Sequence, residues 1–196
     1  MGMIFEKDVK IILCSQSPRR RSLIEGLGFA VEITSVDVNE DFEPGIPVDQ
    51  VAKSLSERKS LAYKNGHKEN EVLLTADTLV SVEGEILAKP ENEDEALSML
   101  KKLNGNQHQV STGFCLRNHL KTESFVESTQ VFFNKLSEAE LLWYIRNHEP
   151  YDKAGSYGIQ EWIGYVGIQK VHGDFFNVIG LPLQRVYKEL RSFLKE

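Results

Sequence analysis

The chain has 196 residues and a formal net charge of -6, with 41% hydrophobic and 27% charged residues. This composition fits a globular protein with a full core, built as one large domain or two small lobes. The acidic balance argues against non-specific binding to nucleic acid or anionic membranes. No apolar run approaches the roughly 20 residues that span a bilayer, so we expect a cytoplasmic protein with neither kind of partner.

The first third of the chain alternates strand and helix patterns. Residues 9–14 form an apolar strand pattern, and residues 18–27 form a helix pattern with Ser17 as its N-cap. Residues 31–39 alternate like a second strand, and residues 48–65 have helical periodicity. This alternation is typical of α/β proteins.

The middle of the chain is dominated by strand patterns. Residues 71–90 predict a β-hairpin that turns at residues 83–85, and residues 94–103 predict a helix. Residues 108–118 and 124–136 predict two long strands, adjacent and antiparallel. The sheet is therefore expected to be mixed.

Two more helices are predicted in the last third. Ser137 and Glu140 form a capping box ahead of an apolar helix that Pro150 closes, and an amphipathic helix begins at Pro182. No Pro- or Ser-rich linker divides the chain. We therefore predict one α/β domain over residues 1–196.

Three consecutive arginines stand at the start of the first predicted helix. Arg19, Arg20 and Arg21 follow Pro18 and fall in the first turn, where the peptide dipoles already present positive charge. Each costs about 0.3–1 kcal/mol there unless an anion offsets it. A phosphate suits both the helix N–H groups and the guanidinium fork, so we expect an anion site, with a solvated basic patch as the alternative. The stretch lacks the glycines of a P-loop or dinucleotide-binding turn.

Two acidic residues are candidates for chemistry. Asp77 stands at the end of an apolar strand beside Thr78 and is either a desolvated carboxylate with a task or an aspartate held in a turn. Glu40 ends another strand-like segment and is either a member of a charged surface loop or a partner of Asp77. Together they could hold a hard cation such as Mg²⁺.

Three other polar residues are candidates by position. Lys59 and Lys89 can each be solvated lysines, although Lys89 lies at a strand end before Pro90. Gln160 lies in a glycine-containing loop, where its amide can bind a nucleobase edge or the loop backbone. Spacing alone leaves these alternatives open.

The motifs together resemble the Maf family of nucleotide pyrophosphatases. "SQSPRR", "LTADTLV" with "ILAKP", and "DKAGSYGIQ" before "NVIGLP" occur in the family's order along nearly the whole chain. The resemblance implies an elongated mixed β-sheet flanked by helices, with two lobes around a central cleft, related to the inosine triphosphate pyrophosphatases. It implies a hydrolase that converts a nucleoside triphosphate to the monophosphate and pyrophosphate. It also implies a homodimer.

The resemblance also implies roles for the candidate residues. Asp77 is the expected general base, and Mg²⁺ or Mn²⁺ is the expected cofactor, held by Glu40 and Asp77. The expected substrate-binding residues are Ser15, Arg19, Arg20, Lys59, Thr78, Lys89 and Gln160.

Thr78 and Gln160 match the subgroup that favours dTTP and UTP, and the alternatives are a 7-methyl-GTP pyrophosphatase and a catalytically idle, nucleotide-binding regulator of cell division. The chain departs from the family pattern at Ser156, where alanine is usual, and after Gln160, where "EWIGYVGIQ" replaces a glycine-rich sequence.

Overall fold

A computed structural model of the chain describes residues 9–43, 45–66 and 68–195. Within these ranges the chain forms a mixed β-sheet and α-helices. The strands are β1 (Lys10–Cys14), β2 (Ala30–Thr34), β3 (Glu71–Val82), β4 (Glu85–Leu87), β5 (Gln107–Arg117), β6 (Thr122–Phe133) and β7 (Ile168–His172). The helices are α1 (Pro18–Glu25), α2 (Val48–Ala62), α3 (Glu93–Leu103), α4 (Glu138–His148), α5 (Trp162–Gly167), α6 (Phe175–Ile179) and α7 (Leu183–Phe193).

The seven strands form one sheet in the order β2-β1-β3-β5-β6-β7, with β4 paired to β3. β1 is parallel to both β2 and β3, whereas β3 with β4 and β6 with β7 are antiparallel pairs. Asn118 N donates to Lys121 O at the turn between β5 and β6, so these neighbouring strands form a hairpin. The predicted mixed α/β sheet with flanking helices is confirmed.

Contacts divide the chain into two compact units. The first comprises Met1–Asp77, Thr112–Glu127 and Gly180–Glu196, and the second comprises Thr78–Ser111 and Ser128–Ile179. Strands β3, β5 and β6 each contribute residues to both. A single domain over the whole chain stays a prediction.

The sheet of the first unit is buried on both faces. Ile11 and Leu13 of β1 belong to a core that includes residues of α1 and α7, whereas Ile12 and Cys14 pack with Tyr63 at the end of α2. Side chains alternate across a strand, so burial on both faces requires the continuous apolar run of β1. Cys14 and Cys115 are both buried free thiols.

An aromatic cluster lies in the core of the second unit. His108 is 2% exposed, and its Nε2 lies 2.7 Å from the hydroxyl of Tyr157. The rings of His108, Tyr157 and Phe133 have centroids 5.2–5.6 Å apart. Desolvation lowers the pKa of His108 to about 4 and raises the pKa of Tyr157. Both groups are therefore neutral at physiological pH.

Two sequence predictions about the candidate acids are wrong. The strand predicted at 31–39 ends at Thr34, so Glu40 lies in an irregular segment. Asp77 lies within the 12-residue strand β3 and not at its end. The strand tolerates polar residues there because they bind α2: the Thr75 hydroxyl donates to Ser56 O at 2.7 Å, and Asp77 pairs with Lys59. Asp77 is therefore a buried strand carboxylate and not an aspartate held in a turn, and its task stays a prediction.

None of the helices in the described ranges is long and apolar enough to cross a membrane.

Candidate active site

The side chain of Arg20, at the N-terminal end of α1, is hydrogen-bonded to residues outside the helix. Ser17 caps the helix by accepting from Arg20 N at 3.4 Å, as predicted. The Arg20 guanidinium donates to Gly180 O at 2.8 Å and to the Ser15 hydroxyl at 3.4 Å. Arg21 instead pairs with Glu25 on the helix surface, at 2.8 Å. The side chains of Ser15 and Arg20 therefore meet just after the end of β1, whereas Arg21 is paired with Glu25.

Charges from several elements act on Arg20. Desolvation lowers the pKa of its guanidinium, and Arg19 lowers it further. The carboxylates of Asp77 and Glu40 act in the opposite direction. These four side chains are therefore close enough to interact electrostatically, although they come from α1, the irregular segment after β2, and β3.

Lys59 joins the two candidate acids. Its ammonium lies 2.9 Å from Glu40 Oε1 and also contacts Asp77 Oδ1. The side chains of Lys59 and Asp77 are 16% and 11% exposed, whereas that of Glu40 is 58% exposed. A buried carboxylate needs such a partner, because desolvation of an unpaired charge costs several kcal/mol.

Packing of α2 on the sheet determines where Lys59 lies. A Cβ added to Gly113 of β5 would lie 2.2 Å from Ala52 O, so the helix backbone approaches the strand at a distance that only glycine allows. The bond from Thr75 to Ser56 fixes the same helix against β3, one turn before Lys59. Thr75 and Asp77 leave the strand on the same face, since side chains repeat every two residues.

Arg58 holds the segment that carries Glu40. Its Nη1 donates to Asn39 O at 3.2 Å and to Asp41 O at 2.5 Å. Asn39 Oδ1 in turn accepts from Asp41 N at 2.7 Å. The backbone on each side of Glu40 is thus fixed, although the segment is not part of a strand.

The second unit holds the remaining predicted residues: Thr78, Lys89 and Gln160. Thr78 is half-buried on β3, and Lys89 is exposed just after Ala88. Ala88 O accepts from Gly155 N at 3.2 Å, which ties the Lys89 segment to the loop that leads to Gln160. Gln160 is exposed in a turn closed by Glu161 N and Gly158 O at 3.0 Å.

The structure therefore brings together Ser15, Arg20, Glu40, Lys59 and Asp77, with Arg19 acting on Arg20 through its charge. Sequence reasoning missed Arg58, which only its two backbone contacts reveal. It also missed Lys153, which is 8% exposed and lies 3.1 Å from Glu161. The pattern "DKAG" gives no sign that its lysine is buried.

Glu40 and Asp77 have the chemistry of a divalent-cation site. Both carboxylates contact the ammonium of Lys59, so an oxygen of each lies close to the same positive charge. Mg²⁺ is usually held by one or two carboxylates, with waters and substrate phosphate oxygens. The pair fits that donor set. No larger group of three or more His, Cys, Asp and Glu residues suited to a metal occurs in the part of the chain described here.

The family of the chain follows from comparison with known proteins. The model of the family described as "Maf-like protein" matches residues 10–193, so the chain belongs to that family. A relative from Porphyromonas gingivalis, named dTTP/UTP pyrophosphatase, is 46% identical over 95% of this chain and 96% of its own length. One of the same name from Phocaeicola vulgatus is 45% identical over 93% and 95%.

A solved structure, "The structure of the Staphylococcus aureus Ham1 protein", covers 63% of this chain and 71% of its own at 13% identity. The TM-score of the two chains is 0.40.

Proposed function

We propose that the protein is a nucleoside triphosphate pyrophosphatase that hydrolyses dTTP and UTP to the monophosphate and pyrophosphate. The observation that carries the proposal is the buried Asp77 carboxylate. It forms an ion pair with Lys59, and its charge acts to raise the pKa of Arg20. Relatives that share more than 40% of the sequence carry the corresponding name.

In the proposed reaction a water oxygen attacks the α-phosphorus. The bond from that phosphorus to the oxygen bridging the β-phosphate breaks, pyrophosphate leaves with the electron pair, and the water proton passes to Asp77. Such assistance by a general base contributes about 10²–10⁴-fold. Because phosphoryl transfer leaves little covalent work to the protein, positioning and fixed charge supply most of the remaining acceleration.

The basic residues are assigned to the phosphates. Arg19, Arg20, Lys59 and Lys89 bind phosphate oxygens, and the hydroxyl of Ser15 orients the guanidinium of Arg20, with which it is hydrogen-bonded. Arginine is suited to this role because its planar fork matches two phosphate oxygens. Thr78 and Gln160 are assigned to the base, since an amide offers both a donor and an acceptor to its edge.

Glu40 and Asp77 are the residues that would hold Mg²⁺ or Mn²⁺. A divalent cation held by this pair would neutralise charge on the phosphates and would lower the pKa of a water bound to it. A homodimer, the absence of nucleic-acid and membrane partners, and a cytoplasmic location stay predictions.

A substrate panel tests the activity. The purified protein is incubated with dTTP, UTP, CTP, ATP, GTP and 7-methyl-GTP, with Mg²⁺, with Mn²⁺ or with a chelator. We expect monophosphate and pyrophosphate to appear in equal amounts, fastest from dTTP and UTP and only with a metal. Release of orthophosphate, or tight nucleotide binding without any hydrolysis, would refute the proposal, and the second outcome would favour the idle regulator.

Asp77→Asn tests the assignment of the base. We expect kcat to fall by at least about 10²-fold while nucleotide binding stays measurable, because the amide keeps the size of the side chain but cannot accept the proton. Asp94→Asn on the exposed start of α3 is the matched control. Turnover of Asp77→Asn at the level of this control would exclude Asp77 as the base.

A further inference from the structure

Lys153, a buried lysine of the second unit, binds the acidic residue that follows Gln160. Its ammonium lies 3.1 Å from Glu161 Oε1 and 2.7 Å from Asp152 Oδ1. The Glu161 side chain is 26% exposed and that of Asp152 is 55% exposed, so Glu161 is the better shielded partner. Because an ion pair is stronger where water is excluded, Glu161 is the main counter-ion of Lys153.

Tyr144 binds the other oxygen of the same carboxylate. Its hydroxyl donates to Glu161 Oε2 and accepts from Gly158 N at 3.0 Å. Tyr144 is fully buried, and desolvation together with the hydrogen bond to Glu161 raises its pKa, so the hydroxyl remains a donor. Both oxygens of Glu161 are therefore held, one by Lys153 and one by α4.

These contacts surround a four-residue turn whose central residues are Ile159 and Gln160. Glu161 N closes the turn on Gly158 O. A Cβ on Gly158 would lie 2.8 Å from Glu161 Cδ, so the carboxylate packs directly over the turn backbone.

The next helix, α5, fixes the turn from its other side. A Cβ on Gly164 would lie 1.9 Å from Ile159 O, and the Tyr165 hydroxyl donates to Gln160 O at 2.6 Å. The backbone of Gln160 is thus bound by its neighbours on both sides, whereas its side chain is exposed.

We propose that Glu161, held by Lys153 and Tyr144, is a positioning residue that fixes the Gln160 turn and so sets the preference for a pyrimidine base. This inference rests on the proposed function. A glutamine side chain is long and flexible, so its amide meets a base edge at a defined distance only if its backbone is fixed. A turn held in place suits a pyrimidine, whereas a turn that can retreat leaves room for a larger purine.

A network with a purely structural role makes a different prediction. Its loss would lower stability and reduce activity on every nucleotide by the same factor. A positioning role changes the ratio of kcat/KM between substrates. It acts on KM for UTP more than on kcat, because the turn is assigned to the base and Asp77 to the attacking water.

Glu161→Gln is the primary test. We expect the ratio of kcat/KM for UTP to that for ATP to fall at least about tenfold, mainly through a higher KM for UTP. Glu138→Gln is the matched control, since it removes an exposed ion pair of the same unit, 2.8 Å from Lys101 Nζ, that lies outside the turn network.

Two further variants keep the inference testable if Glu161→Gln fails to fold. Lys153→Met combined with Glu161→Gln removes both charges and preserves side-chain volume, so no buried charge is left unpaired. Gly164→Ala leaves every charge in place and displaces Ile159 through its new Cβ. Each folded variant, verified by thermal denaturation, is expected to show the same fall in the ratio.

The outcomes separate the two proposals. An active wild-type protein whose folded variants keep the wild-type ratio would overturn the role of Glu161 and leave the proposed function intact. A wild-type protein that hydrolyses no nucleoside triphosphate would overturn both. A uniform loss on UTP and ATP would assign the network to stability alone.

Discussion

The buried His108–Tyr157 pair predicts how the stability of the protein depends on pH. Desolvation lowers the pKa of folded His108 to about 4, from 6.5 for an unperturbed histidine. Its Nε2 contacts the Tyr157 hydroxyl, and its Nδ1 has no hydrogen-bond partner among the described residues. Protonation in the folded state would therefore bury a charge and leave the Nδ1 proton unbound.

The sign of the effect follows from where the proton binds. Well above pH 6.5, His108 is neutral in both states and contributes no pH dependence. As pH falls from 6.5 towards 4, the unfolded chain takes up a proton that the folded protein excludes, so the free energy of unfolding decreases. The slope is up to about 1.4 kcal/mol per pH unit, which gives a loss of about 2 kcal/mol between pH 7.5 and pH 5.

Urea denaturation of the wild type and of a double variant measures this loss. His108→Phe with Tyr157→Phe replaces the pair with two apolar rings, so neither a titratable group nor an unsatisfied hydroxyl remains. We expect the wild type to lose about 2 kcal/mol more than this variant between the two pH values. His172→Gln, which removes an exposed histidine, should behave as the wild type.

Equal losses in the wild type and the double variant would refute the reasoning, because His108 would then titrate alike in the folded and unfolded states. Carboxylates also titrate near pH 5, but they are common to both proteins and cancel in the difference. The expected effect is large against a total stability of about 5–15 kcal/mol for a typical domain.

Two other predictions concern the candidate active site. Arg19→Ala should raise KM for UTP at least about tenfold. It should leave the free energy of unfolding unchanged or up to about 1 kcal/mol higher, because a cation is removed from a helix N-terminus. Arg21→Ala is the control, and a large loss of stability in Arg19→Ala would contradict the assignment. Gly113→Ala should lower the free energy of unfolding by about 1–3 kcal/mol and reduce kcat, because its Cβ would displace the helix that carries Lys59. Gly66→Ala should do neither, since the added Cβ meets nothing within 4 Å. Wild-type kinetics of Gly113→Ala would argue against a link between the packing of α2 and the position of Lys59.

The sequence predicted correctly the helix starts and the hairpin turn that are determined by contacts between residues close together in the chain. Ser17 and the Ser137–Glu140 capping box start helices where expected, because each satisfies N–H groups within its own first turn. The hairpin of β3 and β4 turns where expected, since Glu83 and Gly84 both take positive φ values in a two-residue connection.

The contacts that form the candidate site could not be predicted in the same way. Lys59 and Asp77 are 18 residues apart, and they meet because α2 packs closely against β3 and β5. The segment of Glu40 alternates like a strand, yet it is fixed by Arg58 from another element. Tertiary packing decides both positions, and neither leaves a periodic pattern.

The electrostatics of α1 favour the proposed binding of a polyanion at this position. Its dipole, Arg19 and Arg20 add positive charge at one point. Desolvation, and then the charge of Arg19, lower the pKa of Arg20. The charges that counter this effect belong to Asp77 and Glu40, which Lys59 already binds. A phosphate chain would supply negative charge at the helix start and so offset the repulsion between Arg19, Arg20 and the helix dipole.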